Sequence, residues 1–322
     1  MWRPEHRLQG PFPATDRDIP ALNTLFTDAF TDRYRRDGLV GVRVPPLDRP
    51  IWRFALRTAG GGALLWRDDD GGVAAFNIAH RSGVEGWMGP LAVRPDRQGL
   101  GLGRSIVEAS VAWLEGGGCT TIGLETMPRT MDNIGFYARL GFAPGHLTMT
   151  LSRDVTDRPP RDSGFRLQDL DVPEAESWRE RVVRAIRTAT SGIDFTRECA
   201  LTAELGLGDL CVVADGTTVL AAALWHVAPL TESRLADEIR VLKLYAADGR
   251  SFAAVLAALE SAAVHIGIKR VSVRCQTRFQ SAYHALVERG YHVRWTDLRM
   301  TLTGYPEVSL RGDTVIFSNW EI

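Results

Sequence analysis

Hydrophobic and polar positions along the chain predict the same series of elements twice. In the first half, apolar residues after Asp18 fall on one helical face, and residues 63–76 follow a strand–turn–strand pattern. In the second half, a helical pattern begins after Asp171, and a second hairpin pattern covers residues 210–222. Each aspartate could cap the free N–H groups at the start of its helix, and the proline two residues later fits the first turn.

Each half then ends with a helix, a strand, a helix and a glycine–aromatic pair. In the first half these are predicted at Gly103–Glu115, Thr120–Glu125, Asn133–Leu140 and Gly141-Phe142. In the second half they are predicted at Ser251–His265, Arg270–Cys275, Gln280–Arg289 and Gly290-Tyr291. A shared order of this length indicates an internal duplication of an α+β unit. We expect two domains, residues 1–155 and 163–322, joined by the polar, proline-containing stretch Arg153–Asp162.

Composition narrows the possible partners. Of the 322 residues, 45% are hydrophobic and 24% are charged, and the formal net charge of -1 favours neither nucleic acid nor an anionic membrane. The four cysteines are scattered, which excludes a CxxC metal site and a dense disulfide framework. The apolar stretch 219–230 is too short to span a bilayer, and the first residues lack a signal-peptide pattern. We expect a cytoplasmic protein without a metal, nucleic-acid or membrane partner.

A glycine-rich turn in front of a helix predicts an anion site in the first half. Glycines occur at 99, 101 and 103, after a strand at 88–93 and before an amphipathic helix. The first N–H groups of a helix have no partner within the helix, and glycine lets a phosphate approach them. A dinucleotide motif starting at Gly99 would need a glycine where Arg104 stands, and a P-loop would need a lysine that this turn lacks.

These residues resemble a known family. The segment Gln98-Gly99-Leu100-Gly101-Leu102-Gly103 matches the [QR]-x-x-G-x-[GA] signature of the GNAT N-acetyltransferases. Residues 91–95 are similar to the fourth strand and turn of that family, and residues 136–142 to its F-Y-x-x-x-G-F ending. The resemblance implies an α+β fold of two tandem GNAT-like domains, each a mixed, mostly antiparallel sheet flanked by helices. It also implies acetyl-CoA as the cofactor.

The resemblance further implies which residues bind that cofactor. The strand Leu91-Ala92-Val93 would pair with the pantetheine arm, and main-chain N–H groups from Gln98 to Arg104 would hold the pyrophosphate. The residues of this turn are Gln98, Gly99, Leu100, Gly101, Leu102, Gly103 and Arg104. Asn133 could bond the pantetheine or act as a helix N-cap. Both roles stay open, because the family often has asparagine seven residues before the tyrosine, where this chain has Thr130.

The implied chemistry is direct acetyl transfer from the thioester to an amine. Tyr137 stands where the family has its general acid, and a main-chain N–H near Leu91–Val93 would stabilise the oxyanion. Removing the proton of an alkylammonium with a pKa near 10 costs about 4 kcal/mol at pH 7, so a base is useful. Glu85 and Glu125 are candidates for that base, and each could instead be a solvated or salt-bridged residue.

The second half looks like a degenerate copy. Its counterpart segment, Lys243–Arg250, keeps only Gly249 of the glycines, Asp248 adds a negative charge, and Leu286 stands in place of the tyrosine. We expect this half to complete the substrate cleft or to stabilise the first domain without binding acetyl-CoA. The predicted function is an acetyl-CoA-dependent N-acetyltransferase acting on a primary amine of a small molecule or peptide. A non-catalytic acyl-CoA sensor or scaffold is the alternative, and the glycine spacing disfavours a NAD-dependent enzyme.

Overall fold

Both halves of the chain have the same order of elements in the computed structural model, which describes residues 8–155, 164–232, 234–310 and 312–320. The first half contains β1 (Gln9–Pro13), α1 (Ile19–Arg36), α2 (Arg49–Ala59), β2 (Ala63–Arg67), β3 (Val73–Ser82), β4 (Glu85–Val93), α3 (Leu102–Gly116), β5 (Thr121–Thr126), α4 (Met131–Ala138) and β6 (Phe142–Asp154). The second half contains β7 (Gly164–Arg166), α5 (Val172–Thr190), α6 (Thr196–Glu204), β8 (Gly208–Asp215), β9 (Thr218–His226), β10 (Glu238–Ala246), α7 (Gly249–His265), β11 (Arg270–Gln276), α8 (Gln280–Glu288), β12 (His292–Leu302) and β13 (Val315–Ser318). The predicted duplication and α+β class are confirmed, and β13 has no counterpart in the first half.

The two predicted helix caps have different outcomes. Asp171 caps α5, because its carboxylate accepts a hydrogen bond of 2.9 Å from the N–H of Glu174. Asp18 does not cap α1, so that prediction is wrong. Its carboxylate instead accepts hydrogen bonds from the N–H of Thr15 at 2.9 Å and from the guanidinium of Arg67 at 2.6 Å. These contacts fasten the start of α1 to the end of β2.

One continuous sheet joins the halves by exchanging their last strands. The strand order is β1-β2-β3-β4-β5-β12-β6-β11-β10-β9-β8-β7, with β13 paired to β10. Strand β12 of the second half pairs with β5, and β6 of the first half pairs with β11. The pairs β4–β5 and β10–β11 are parallel and the others are antiparallel, as predicted for a mixed sheet. Separating the halves would therefore break the β5–β12, β12–β6 and β6–β11 ladders.

The predicted linker is displaced by this exchange. Arg153 and Asp154 are the last residues of β6, where they pair with Val271 and Arg270, so the linker does not begin at Arg153 as predicted. Most of the predicted linker, residues 156–162, lies outside the described residues. The domain limits at 155 and 163 therefore stay a prediction.

A buried histidine–threonine pair repeats at the same place in each half. In the first half, Nδ1 of His80 on β3 lies 3.3 Å from Oγ1 of Thr58 on α2. In the second half, Nε2 of His226 on β9 lies 2.8 Å from Oγ1 of Thr202 on α6. All four side chains are buried. The pairs connect a helix to the third strand of each half, so they belong to the duplicated architecture.

A buried ionic cluster also ties the halves together. The Nζ of Lys243 on β10 lies 3.6 Å from the carboxylate of Glu198 and 3.2 Å from the hydroxyl of Ser318, and 3.4 Å from the centre of the Trp320 ring. Glu198 in turn accepts a hydrogen bond from Ser82 of β3. Burial lowers the pKa of Lys243 to about 8, although Glu198 acts in the opposite direction.

Candidate active site

The edge of β4 is open where the resemblance expects the pantetheine arm. Strand β4 pairs with β5 only over Glu85–Met88, opposite Thr121–Leu124. Beyond Met88, residues Leu91–Val93 pair with β3 on one side, and β5 provides them no partner on the other. An extended chain with amide groups could therefore add to β4 as a strand does.

The glycine turn presents unpaired amides at the start of α3. Gly99 and Gly101 have φ angles of +78° and +81°, which residues with a Cβ rarely adopt, and a Cβ at either position would meet only open space. Gly103 is closely packed instead, because a Cβ there would lie 3.0 Å from the ring of Phe136. Within the described residues, the N–H groups from 99 to 103 have no hydrogen-bond partner. This turn fits a diphosphate.

Gln98 holds the turn against the sheet. Its Nε2 donates a hydrogen bond of 3.0 Å to the carbonyl of Val93, and its Oε1 accepts one of 2.9 Å from Arg36 on α1. The side chain of Gln98 thus connects the end of β4 to α1. Arg104, which follows the turn, is exposed and lies 3.3 Å from Glu108.

A cavity of about 410 Å³ opens along the free edge of β4. It brings together six of the predicted site residues: Leu91, Ala92, Val93, Gln98, Asn133 and Tyr137. The other six lie on the turn at the start of α3: Gly99, Leu100, Gly101, Leu102, Gly103 and Arg104. The fit to an acyl-CoA is therefore complete in outline, with an open strand edge, a neighbouring row of amides and a cavity for the acyl end.

Helix α4 presents Asn133 and Tyr137 to the cavity. The helix begins at Met131 with Thr130 as its N-cap residue, so Asn133 lies in the first turn and is not the cap. The hydroxyl of Thr130 donates to Asp37 at 2.7 Å, which fixes the start of α4 against α1. Burial raises the pKa of Tyr137 to about 12, so its phenol stays protonated at neutral pH.

The two predicted base candidates lie in different surroundings. Glu125 lines the cavity, but its carboxylate accepts hydrogen bonds from Thr148, Arg299 and Arg274. Burial acts to raise the pKa of Glu125, whereas the two arginines hold it below its usual range. Glu85 is 4% exposed and is not part of the cavity lining. Burial raises the pKa of Glu85.

The second half supplies cavity residues that the sequence analysis did not identify. They are Arg274, Trp295, Asp297, Arg299, Ser318, Asn319 and Trp320. Trp295, Asp297 and Arg299 alternate along β12, which places them on one face of the strand. The alternation of these polar or aromatic residues with Leu298 and Met300 is a signal that the sequence contained. Their position beside Glu125 depends on the strand exchange, which the sequence did not indicate.

The equivalent edge in the second half is filled. Strand β10 pairs with β11 only over Glu238–Val241, and beyond this point Lys243–Ala246 pair with β13. Two residues, Ala247 and Asp248, connect β10 to α7, whereas residues 94–101 connect β4 to α3. The first half of the predicted counterpart segment Lys243–Arg250 is thus strand, its last two residues belong to α7, and no glycine turn lies between them.

The start of α7 is already capped by the protein. The carboxylate of Asp248 accepts a hydrogen bond of 2.7 Å from the N–H of Ser251. Leu286, which stands in place of the tyrosine, is fully buried in the core of the second half. A carboxylate at the helix start and a strand in the gap both oppose binding of a CoA diphosphate and pantetheine arm.

Neither a metal cluster nor a membrane-spanning helix is found in the part of the chain that the structure describes. No group of three or more His, Cys, Asp or Glu side chains could hold a metal ion there. No helix among these residues is long and apolar enough to cross a membrane.

Comparison with known proteins agrees with this geometry. Residues 21–142 match the Acetyltransferase (GNAT) family. A serotonin N-acetyltransferase 2 of rice (Oryza sativa subsp. japonica), described as chloroplastic, is 40% identical over 136 residues, which are 40% of this chain and 58% of the rice protein. The match therefore spans less than two thirds of that relative.

Solved structures share the fold over nearly the whole chain. The N-myristoyltransferase of Saccharomyces cerevisiae with bound myristoyl-CoA aligns with a TM-score of 0.63 at 8% identity, covering 95% of this chain and 84% of that chain. A tandem GNAT protein from the clavulanic acid biosynthesis pathway aligns with a TM-score of 0.58 at 14% identity, covering 94% of this chain and all of that chain. The family match places residues 21–142 in the acetyltransferase (GNAT) family, and the whole chain has a duplicated fold similar to that of the tandem GNAT protein.

Proposed function

We propose that the chain is an N-acetyltransferase that transfers acetyl from acetyl-CoA directly to a primary amine of a small molecule or peptide. The observation that carries this proposal is the open edge of β4 beside the unpaired amides of residues 99–103. Family membership supports an acyl-CoA as the donor. One acyl-CoA would bind per chain, because β13 and Asp248 occupy the equivalent place in the second half.

Different residues of the first half would bind different parts of the cofactor. Main-chain groups of Leu91, Ala92 and Val93 would pair with the pantetheine arm, and one of their N–H groups would stabilise the oxyanion. Amides of Gly99, Leu100, Gly101, Leu102 and Gly103 would hold the diphosphate. The N–H groups of Gln98 and Arg104, which were predicted to join them, already donate to the carbonyls of Pro95 and Gly101, so these two residues would support the turn instead. Asn133 would contact the thiol end of the pantetheine. Tyr137 would protonate the departing thiolate, and its phenol is held in the protonated form by burial.

The acceptor would be a small amine with an aromatic group. The rice relative is named for serotonin, which is such an amine. The cavity supports this choice through the aromatic side chains in its lining: Phe30, Tyr34, Trp87, Trp295 and Trp320. Aromatic rings pack well against such walls, and offset or edge-to-face contacts add to the area that they bury.

The test is release of CoA thiol from acetyl-CoA in the presence of serotonin, 2-phenylethylamine and a lysine-containing peptide. We expect thiol release with the two aromatic amines and acetyl-CoA binding with a stoichiometry of one per chain. If acetyl-CoA binds but none of these amines causes thiol release, the result would instead support an acyl-CoA sensor.

Tyr137→Phe tests the role of the acid. We expect kcat to fall about 100-fold while the Kd for acetyl-CoA is unchanged, since only the proton donor is removed. Tyr283→Phe, which alters a partly buried tyrosine of α8, is the matched control and should keep the wild-type kcat. Full activity of Tyr137→Phe would remove Tyr137 from the mechanism.

A further inference from the structure

An amine acceptor reaches this cavity mainly as an ammonium ion, so the site needs a proton acceptor. Three side chains in the described lining could act as one: His80, Glu125 and Asp297. They come from β3, β5 and β12. Their hydrogen bonds and neighbouring charges differ.

Glu125 has little capacity left to receive a proton. Its Oε1 accepts from the hydroxyl of Thr148 at 2.6 Å and from Arg299 at 3.0 Å, and its Oε2 accepts from Arg274. Two guanidinium groups stabilise the ionised carboxylate, and protonation would break these charge-assisted bonds. Glu125 therefore orients the two arginines.

His80 is explained by the architecture. It forms the same buried pair with a threonine that His226 forms in the second half, which has no open gap beside its fourth strand. Its ring stacks on Trp320 with 4.2 Å between the ring centres. Burial, together with the charge of Lys243, lowers the pKa of His80 to about 3, which makes it a weak base.

Asp297 differs from both in its surroundings. Its Oδ2 accepts a hydrogen bond of 3.0 Å from Arg274, and its Oδ1 accepts one of 3.1 Å from the indole N–H of Trp295. Each carboxylate oxygen can accept a second donor, so an ammonium N–H can still be received. The side chain of Asp297 is 16% exposed and reaches the cavity.

We propose that Asp297, a residue of the second half, is the general base that takes the proton of the acceptor ammonium. This inference rests on the proposed function. The charged and titratable groups that face Asp297 are Tyr34 on α1, Glu125 on β5 and Arg274 on β11. Burial raises the pKa of Asp297 and repulsion by Glu125 adds to this effect, while Arg274 opposes it. A carboxylate with a raised pKa is a stronger base than an exposed one.

The proton balance of the reaction is then complete. Asp297 accepts one proton from the ammonium, and the neutral nitrogen forms a bond to the thioester carbonyl carbon. The C–S bond breaks and its electron pair leaves on sulfur, which takes a proton from Tyr137. The nitrogen loses its second proton as the amide forms, and this proton restores the phenol. Asp297 returns its proton to water, so the net products are amide, CoA thiol and one proton.

Asp297→Asn gives a test through the pH dependence of kcat/KM for 2-phenylethylamine. Without a base the variant must use the neutral amine, whose fraction rises about tenfold per pH unit below its pKa. We expect kcat/KM to be about 100-fold lower than wild type at pH 7, with the deficit shrinking steadily as the pH approaches 9.5. With 2,2,2-trifluoroethylamine, which is a much weaker base, the deficit should be small at pH 7. Asp297→Glu should restore the wild-type shape of the profile.

Glu307→Gln is the matched control. Glu307 lies outside the described lining of the cavity but bonds Arg299 and Arg278, so this variant perturbs the same ionic network. It should keep the wild-type shape of the pH profile. An Asp297→Asn deficit that is equal at pH 7 and 9.5 in a chain that still binds acetyl-CoA would overturn the assignment of the base alone. A wild-type chain that releases no thiol with any amine would overturn the proposed function as well.

Discussion

In each half, the fourth strand separates from its parallel neighbour at the equivalent position, but only one of the two resulting gaps is open. Beside β4 the gap is open and continues into a cavity, whereas beside β10 strand β13 occupies it. The connection to the next helix is residues 94–101 in the first half and only residues 247–248 in the second. A strand that leaves its neighbour early exposes backbone groups, and these must bind either a ligand or another segment of the protein.

The two halves also differ in which residues they share: some belong to the fold of both halves, and others belong to the site of the first half alone. The pairs His80–Thr58 and His226–Thr202 occur in both halves, whereas the glycine turn and the tyrosine occur in one. Features present in both halves hold helices to strands, and features confined to the first half surround the cavity. The second half nevertheless contributes to that cavity, because its strand β12 lies between β5 and β6.

Phe317→Ala would remove the largest side chain of β13 and should have the largest effect on stability. Phe317 is fully buried and its ring centre lies 5.7 Å from that of Phe252 and 5.6 Å from that of Phe279. We expect the free energy of unfolding to fall by about 3–5 kcal/mol, measured by urea denaturation. Leu91→Ala, on the open edge of β4, should cost less because its side chain faces the cavity. A Phe317→Ala chain as stable as wild type would contradict the view that β13 is an integral strand.

Gly101→Asp would give the first half the negative charge that Asp248 provides in the second. We expect the Kd for acetyl-CoA to rise at least about 100-fold, or ~2.7 kcal/mol, because a carboxylate would face the diphosphate. The fold should persist, since aspartate tolerates a positive φ and a Cβ there meets open space.

The reciprocal variant Asp248→Gly provides the control for the same calorimetric titration. It should leave the stoichiometry at one acetyl-CoA per chain, because β13 still fills the gap beside β10. A second binding site in Asp248→Gly, or an unchanged Kd in Gly101→Asp, would contradict our assignment of the turn.

The smallest expected effect is on the free energy of unfolding at acidic pH. The unfolded chain protonates His80 below pH 6.5, whereas the folded chain does so only at a pKa of about 3, so stability falls as the pH drops through this window. The loss is about 1 kcal/mol between pH 6.5 and 5.5 and approaches about 1.4 kcal/mol for each further pH unit. As the pH drops from 6.5 to 5.5, we expect the free energy of unfolding of His80→Gln to fall less steeply than that of wild type.

His146→Gln is the matched control for that measurement, because His146 is exposed, and it should keep the wild-type slope. An unaltered slope in His80→Gln would show that His80 is not held neutral in the fold. The same variant should leave the pH dependence that we assign to Asp297 in place.

Much of the local structure was predictable, with identifiable exceptions. Helix α3, predicted at Gly103–Glu115, runs from Leu102 to Gly116, because glycines mark both of its ends. Helices α2 and α6 were not predicted. For α2 the signal was present, since Asp48 and Pro50 precede a run of buried apolar residues. Asp18 precedes α1 as predicted, but its capping role was wrong because its carboxylate binds Arg67 of another element.

The sequence by itself determined the duplicated order of elements and the glycine turn, because helix starts, strand alternation and positive φ angles depend on residues close together in the chain. Only the tertiary structure decided the strand exchange, the filling of the second gap by β13 and the proximity of Asp297 to Glu125. The strand exchange joins strands more than 100 residues apart, as in the pairing of Leu298 with Thr126, and β13 pairs with β10 across about 70 residues, as in the pairing of Val315 with Ala246. Pairing at that distance depends on which edges remain free after each half has folded, and no local pattern encodes it.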